Sequence, residues 1–499
     1  MAKVLFINPV IREDDNPSHI PYGLAQLIAI CAKEGHLIQV FDANAWRPTD
    51  DETRDAISSD SWDVIAIGGL VTTYGYIKKT IQIAKEIFKD ALIIAGGGFI
   101  TPIPFEIMDF LPAVDIGVIG EAYLTLPEIL AMVDEGSQDW GAIKGIVFRN
   151  NEGKVELTEE RTLFDQVDTL PFPAWEYFPL DIYFKNSSLL LSEEAMLSKR
   201  HISIIASYGC PYKCKYCFHL GLSGELAISD SDGKRELIVT SKRKVRWHSP
   251  EYIIELIRHA KERFGVDFVS FLDENFAVLA KNKKWFEKFE ELWIKEGLQP
   301  ECIRKKKAHN PAECKGIHWG TTAHPAIVNE EMLIRFKNLG CSHLDYGLES
   351  FSDEVLKSIG KGSTARQNTE AIKMTMKAGI RPIPNQIIGF PEDSFESIRA
   401  NINAWNNLGI RVYPFFATPY PGSEWYFKYK NEILEQYDGS LEDFILDLGD
   451  ATKITAVISE QFNAVELLGL RELMVNRDLK RINNYEKYKD NITPPRKRR

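Results

Sequence analysis

The stretch Ser207-Tyr-Gly-Cys-Pro-Tyr-Lys-Cys-Lys-Tyr-Cys-Phe218 places three cysteines, Cys210, Cys214 and Cys217, within eight residues, directly after the apolar run 202–206. Three thiolates so close together can hold a metal centre and leave it one ligand short. Four cysteines would saturate a [4Fe–4S] cluster, whereas three leave one iron open to an exogenous ligand. Two other readings use the same residues. A disulfide is disfavoured, because seven cysteines in 499 residues without a secretory leader read as the reduced thiols of a cytoplasmic protein. A structural zinc site needs a fourth ligand, which His219 offers. Spacings of three and then two residues nevertheless differ from the paired C-x₂-C knuckles that zinc favours.

Outward from the cysteines, toward the C-terminus, strand and helix patterns alternate. Apolar runs at 202–206, 268–272, 317–322, 343–348, 384–388 and 411–416 predict strands, and amphipathic stretches at 251–264, 330–339, 353–359 with 364–377, and 394–408 predict helices. Six β/α units make a partial (β/α)6 barrel. The cysteine run then follows the first strand on the carboxyl-end face, where barrel active sites are built. Other strand ends carry polar groups: Asp273-Glu274-Asn275, Gly347-Leu-Glu349-Ser350, Ile387-Ile388-Gly389-Phe-Pro-Glu392 and Thr418-Pro-Tyr-Pro-Gly-Ser423.

Upstream of residue 140 a second alternation appears. Strands are predicted at 4–8, 37–42, 64–69, 91–95 and 116–119, with helices at 22–33 and 76–88. This order indicates an α/β, doubly wound Rossmann-like parallel sheet with ligands at the strand carboxyl ends. Those ends carry Asn8-Pro9, Gly68-Gly69 with Thr72 and Thr73, the run Gly96, Gly97 and Gly98, and Gly120-Glu121. Glycines there let a flat, bulky or phosphorylated ligand approach the backbone. A nucleotide or a flavin would satisfy these signals equally.

Together these residues carry a resemblance. The CxxxCxxC spacing, with aromatic Tyr216 just before the last cysteine, is similar to the signature of radical SAM enzymes. Pro21-Tyr-Gly-Leu24, Lys33-Glu-Gly-His36, the triple glycine and Val118-Ile-Gly-Glu121 resemble the cobalamin (B12)-binding domain of class B radical SAM proteins. The resemblance covers residues 1 to about 480. It implies three cofactors: a [4Fe–4S] cluster on Cys210, Cys214 and Cys217, S-adenosyl-L-methionine on its open iron, and cobalamin. It further implies SAM contacts from Tyr216, Phe218, Asp273, Glu274, Glu349, Ser350, Ile388 and Gly389, and cobalamin contacts from Thr72, Thr73, Gly96, Gly97, Gly98 and Glu121. There is no Asp-x-His-x-x-Gly motif, so no histidine is evident as a lower cobalt ligand; the resemblance implies a base-off cofactor. Where many members of the family carry an arginine, this chain has Thr321-Thr-Ala-His324, which puts a SAM contact there in doubt and leaves His324 a loose acid–base candidate.

The implied organisation is a cobalamin-binding unit at 1–140, a hairpin and linker at 141–195, a barrel at 196–425, and a C-terminal helical region with a basic tail at 426–499. The linker carries a hairpin around Asn150-Asn-Glu-Gly153 and then Pro171-Phe-Pro-Ala-Trp175, with Trp175, Tyr177 and Phe178 expected at the domain interface. Residues 221–244 form a polar insert that could act as a lid. A Lys-rich insert at 301–316 holds Cys302 and Cys314, either solvated or reaching the active site as thiol donors or cluster ligands. Cys31 and Cys341 read as inert core residues.

A net charge of −11 argues against nucleic acid as a partner. No apolar run approaches the length of a membrane span. The tail Arg496–Arg499 and the sequon at Asn491 carry no evident role.

The expected function is methylation of an unactivated carbon of a small molecule. In such chemistry one SAM methylates cob(I)alamin and a second, cleaved at the cluster, supplies the radical that prepares the substrate. Flavodoxin or ferredoxin is the expected electron donor. The alternatives are an oxidative cyclase or rearrangement enzyme that binds the same cofactors, and a non-catalytic cobalamin- or zinc-binding protein. Methylthio transfer is disfavoured, because no second cysteine triad precedes the barrel. No catalytic side chain and no substrate can be named from the sequence.

Overall fold

Lys3–Asn8 (β1), Leu37–Asp42 (β2), Val64–Gly69 (β3), Leu92–Gly97 (β4) and Ile116–Val118 (β5) are short apolar runs, almost wholly buried along β1, β3 and β5. Runs buried on both faces suit a parallel sheet covered by helices. In the computed structural model, which describes residues 1–186, 192–218, 224–231, 234–305 and 314–488, they pair in parallel in the order β2-β1-β3-β4-β5. The hairpin expected in the linker, Ile146–Arg149 (β6) and Val155–Leu157 (β7), joins this sheet instead, as an antiparallel edge on β5. His219, the sequon at Asn491 and the basic tail lie outside the described residues.

The second sheet contains His201–Ile204 (β8), Phe268–Phe271 (β9), His318–Ala323 (β10), Cys341–Glu349 (β11), Arg381–Ile388 (β12) and Phe415–Phe416 (β13). All six are parallel, each beside its successor in sequence, which is a half-barrel. The helices between them have legible ends. Pro250–Phe264, for example, starts with the Ser249 hydroxyl accepting from the Tyr252 N–H, has proline in its first turn, and stops at Gly265 with φ +70°. Each device satisfies or replaces an orphaned backbone group.

The two sheets share core. Trp175, Phe178 and Tyr183 of the linker are buried with residues of both units, while Tyr177, expected beside them, is exposed at 38%. The C-terminal helices do more than cover the barrel. Ala464–Val475 packs Leu467 over Gly389 at the end of β12. Glu442, in Leu441–Asp447, accepts from the Tyr74 hydroxyl at 2.5 Å and pairs with Lys78 at 2.6 Å, both on the helix Tyr74–Ile87 that follows β3. The insert at 221–244 contains an antiparallel hairpin, Gly224–Ser231 with Lys234–Arg243. No helix among the described residues is long and apolar enough to cross a membrane.

Candidate active site

Chain leaving β8 is anchored before it reaches the first cysteine. Buried Asp273, just past β9, accepts from the Ala206 N–H at 3.0 Å and the Ser207 hydroxyl at 2.5 Å. Burial pushes its carboxyl up to about 7, although these hydrogen bonds oppose the shift. Ser207–Tyr208 then pairs with Arg246–Trp247, and Gly209 turns at φ +91° into the cysteine loop.

The loop is seated by its flanks. Tyr212 stacks on His324 with ring centroids 3.6 Å apart and 7° between planes. The Lys215 N–H donates to the Ile359 carbonyl, and the Trp425 N–H to the Lys215 carbonyl. Gly360 and Gly362 let that turn approach, since a Cβ would stand 3.0 Å from the Lys213 carbonyl and 2.9 Å from the Tyr212 ring. Phe218 packs against Tyr420. The three cysteines form no disulfide; Cys214 is buried, and Cys210 and Cys217 are half-buried.

Sequence reading missed the charge beneath this loop. Lys361 is buried, and its ammonium donates to Glu349 Oε1 at 3.0 Å. The Tyr216 hydroxyl donates to the same oxygen at 2.8 Å. Burial alone would lower the Lys361 pKa, but Glu349 and the Cys214 and Cys210 thiolates more than offset it and hold the amine above its ordinary value. Glu349 itself sits at φ +60°, a strained conformation for a side-chain-bearing residue, at an irregularity in the pairing of β11 with β12. The Gly360-Lys361-Gly362 turn was the available signal, two glycines flanking a lysine after a helix.

Other expected contacts point inward. The Ser350 hydroxyl donates to Asn401 Oδ1 at 3.2 Å and is wholly buried. Ile388 is buried. Gly389, at φ +93°, donates its N–H to Asp393.

His324 has both ring nitrogens engaged by backbone groups. Its Nδ1 accepts from the Ala326 N–H, so Nε2 carries the hydrogen and donates to the Lys361 carbonyl at 2.8 Å. Burial and the Lys361 charge push its pKa down to about 3, leaving a neutral ring that supports Tyr212. Cys302 and Cys314 do not reach the cluster loop either. The structure joins them as a disulfide, correcting the expectation of unpaired thiols, because their Cα atoms stand 5.9 Å apart, within the span a disulfide bridges. They lie by His318 at the amino end of β10, whose other end leads to His324. Five residue steps of roughly 3.3 Å separate the two ends by about 16 Å.

The two sheets present their carboxyl ends to one cavity of about 520 Å³. From the first sheet it is lined by Asn8, Gly68, Gly69, Thr73, Gly96, Gly97, Gly98 and Glu121, and from the second by Ser207, Tyr208, Gly209, Leu272 and Glu274. Thr72 is not among its lining residues. Asn8 and Gly68 flank the β1/β3 step, where the strand order reverses, the usual ligand crevice of such sheets. Leu70 and Leu272, one from each sheet, are 43% and 42% exposed and both line the cavity. A Cβ at Gly120 or Gly23 would meet no protein atom within 4 Å. Open apolar walls over glycine backbone fit a large, flat, partly apolar group such as a corrin. No histidine among the described residues lines the cavity. Glu121 has a second duty: Arg246 donates to both its carboxylate oxygens, one at 2.9 Å, and the Phe164 N–H donates at 3.0 Å.

Comparisons with known proteins agree with this geometry. Residues 204–404 match the radical SAM superfamily model and residues 10–130 the B12 binding domain model. An uncharacterized methyltransferase of Pyrococcus horikoshii is 28% identical over 440 residues, covering 87% of this chain and 84% of that protein. An anaerobic magnesium-protoporphyrin IX monomethyl ester cyclase of Rubrivivax gelatinosus is 22% identical over 454 residues, covering 89% and 72%. Among solved structures, the radical S-adenosylmethionine methyltransferase TsrM from Kitasatospora setae, with cobalamin and a [4Fe–4S] cluster bound, superposes with a TM-score of 0.63 at 16% identity, covering 87% of this chain and 79% of that one. The cobalamin-dependent enzyme OxsB gives 0.61 at 15% identity; the match covers 97% of this chain and 56% of that one.

Proposed function

The chain belongs to the cobalamin-binding radical SAM enzymes, and from that premise we propose that it methylates an unactivated carbon of a small molecule. The observation that carries the proposal is the cavity walled by both sets of strand ends. Methyl transfer needs the methyl carrier and the site of hydrogen removal within reach of one substrate carbon. When bound, the cluster with SAM supplies the radical and cobalamin carries the methyl group.

In this reading Cys210, Cys214 and Cys217 hold the cluster. Lys361, itself buried, keeps a cation beneath Cys214 and Cys210, offsetting thiolate charge. Asp273 fixes the loop's entry, and Tyr212 on His324 fixes its middle. The glycine ends of β3 and β4 form the cobalamin floor, with Leu70 and Leu272 excluding water around it. Glu274, which lines the cavity together with Leu272, is the carboxylate proposed to meet the SAM amino group. Flavodoxin or ferredoxin is the proposed electron donor.

A cyclase acting with the same cofactors is the second reading, favoured by the 22% identity to the R. gelatinosus cyclase across 89% of this chain. The test is anaerobic reconstitution with iron, sulfide and hydroxocobalamin, desalting, and metal analysis. About four irons and one cobalt per chain are expected. Reduction with SAM and candidate substrates should then yield S-adenosylhomocysteine together with 5′-deoxyadenosine. 5′-Deoxyadenosine alone would favour the cyclase, and absence of cobalt would overturn both readings.

A further inference from the structure

Cys302, Cys314 and His318 converge at the amino end of β10, the end opposite the one that leads to His324 and the cluster loop. One donor atom from each lies within 4.8 Å of the others. Cys302 and His318 are buried, and Cys314 is half-buried. We propose that in the reduced protein these three residues bind a zinc ion.

The imidazole is already oriented for the task. His318 Nδ1 lies 3.3 Å from the Gly340 carbonyl, which can only accept, so Nδ1 carries the hydrogen. Nε2 is therefore the lone-pair nitrogen, and it stands 3.9 Å from Cys302 Sγ. A ligating histidine ordinarily has this arrangement, with its other N–H fixed by a backbone carbonyl. For zinc with bonds of about 2.3 Å to sulfur and about 2.0 Å to nitrogen, a tetrahedral S···N edge is about 3.5 Å. The observed separation needs to close by a few tenths of an ångström.

The sulfurs need the opposite movement. As a disulfide they are too close to share a cation, since a tetrahedral S···S edge is about 3.8 Å. A dithiol reductant supplies two electrons and two protons, giving two thiols and leaving the reductant as its disulfide. Zinc binding then releases both thiol protons to solvent. Two thiolates neutralise the divalent charge, which suits a half-buried position. Two sulfurs and one imidazole make a soft donor set that selects zinc over calcium or magnesium. Among the described residues three ligands converge. Bound there, the ion would fasten the insert to the base of the barrel.

The test uses the full-length chain with its cluster reconstituted, handled anaerobically in a dithiol reductant, loaded with zinc and desalted. The wild type should retain about one more zinc per chain than Cys314→Ser, whose half-buried position makes it the milder change. His318→Ala should weaken zinc by more than the 10–100-fold that loss of an outer-shell partner costs. With cobalt(II) as probe, the wild type should show thiolate-to-cobalt charge transfer that Cys314→Ser lacks. Equal zinc in wild type and Cys314→Ser, with no such band, would overturn the proposal. Because the readout is a difference at Cys314, it stands whether or not the cluster or cobalamin assembles.

Discussion

At the scale of single residues, burial decides which titratable groups can act. His324 looks from its position like a catalytic base, yet both ring nitrogens are spent on backbone groups and its face is spent on Tyr212. Its pKa falls from the ordinary 6.5 to about 3 on folding, through desolvation first and Lys361 second. Between those values the unfolded chain binds the proton and the folded chain does not. The contribution of a neutral His324 is thus fully present above pH 6.5 and is lost as pH falls toward 3. His324→Phe keeps a ring under Tyr212 and removes the titration. The stability of the wild type relative to His324→Phe should therefore fall by up to about 1.4 kcal/mol per pH unit below pH 6.5. Urea unfolding at a series of pH values measures it, and a pH-independent difference would show that the imidazole is not held neutral. Asp273 illustrates the converse, a carboxylate raised by burial whose oxygens are committed to the loop's backbone and to Ser207.

Elements are shaped to deliver those residues, and β11 is the clearest case. Its last residues depart from regular pairing with β12, and Glu349 turns to φ +60° where Lys361 and Tyr216 converge on it. Gly347 makes room for this. A Cβ there would stand 2.5 Å from Glu349 Oε1 and 2.8 Å from Lys361 Nζ, far inside contact distance. Gly347→Ala should force the buried pair apart, at about 1–3 kcal/mol for overpacking. Because Lys361 also faces the thiolates, iron retained after reconstitution should drop with it. Denaturant midpoints and iron per chain check the two effects separately. A stable variant with full iron would mean the pair can relocate and is not what seats the cluster loop.

Across the whole molecule, the proposed function rests on two sheets meeting at their carboxyl ends, and that meeting is held by polar ties as well as by core. Arg246 is 5% exposed and forks onto Glu121, 125 residues away, beside the cavity both sheets line. The Tyr183 hydroxyl donates to Asp42 at 2.8 Å, fixing the linker to the end of β2. On the other side Glu442 ties the C-terminal helices to Tyr74 and Lys78. Arg246→Gln keeps much of the volume but loses the charged fork, removing about 1.5–3 kcal/mol per charged hydrogen bond lost. Cobalt retained after desalting should fall more than iron does, because the cysteine loop keeps its own supports. Equal loss of both metals would place Arg246 in general stability instead of in the docking of the two units.

What the sequence determined by itself is whatever rests on neighbours along the chain. Cys210, Cys214 and Cys217 lie within eight residues, so their spacing is readable without a fold. Apolar runs of four to six residues between amphipathic stretches announced both parallel sheets, and glycines marked the ends of β3 and β4. Boundaries moved by a few residues: the last barrel strand, expected at 411–416, is only Phe415–Phe416. What only the tertiary structure decided joins residues far apart. Tyr216 reaches Glu349 across 133 positions, and the linker hairpin belongs to the first sheet because β5 left an open edge for it. Cys302, Cys314 and His318 are separated by up to sixteen positions, and nothing in their spacing showed that their donor atoms come within 4.8 Å of one another. Local patterning fixes which face of an element is buried. Sheet order and element docking then fix which buried faces meet, and on that meeting depend the cavity, the cation beneath the cysteines and the proposed zinc site.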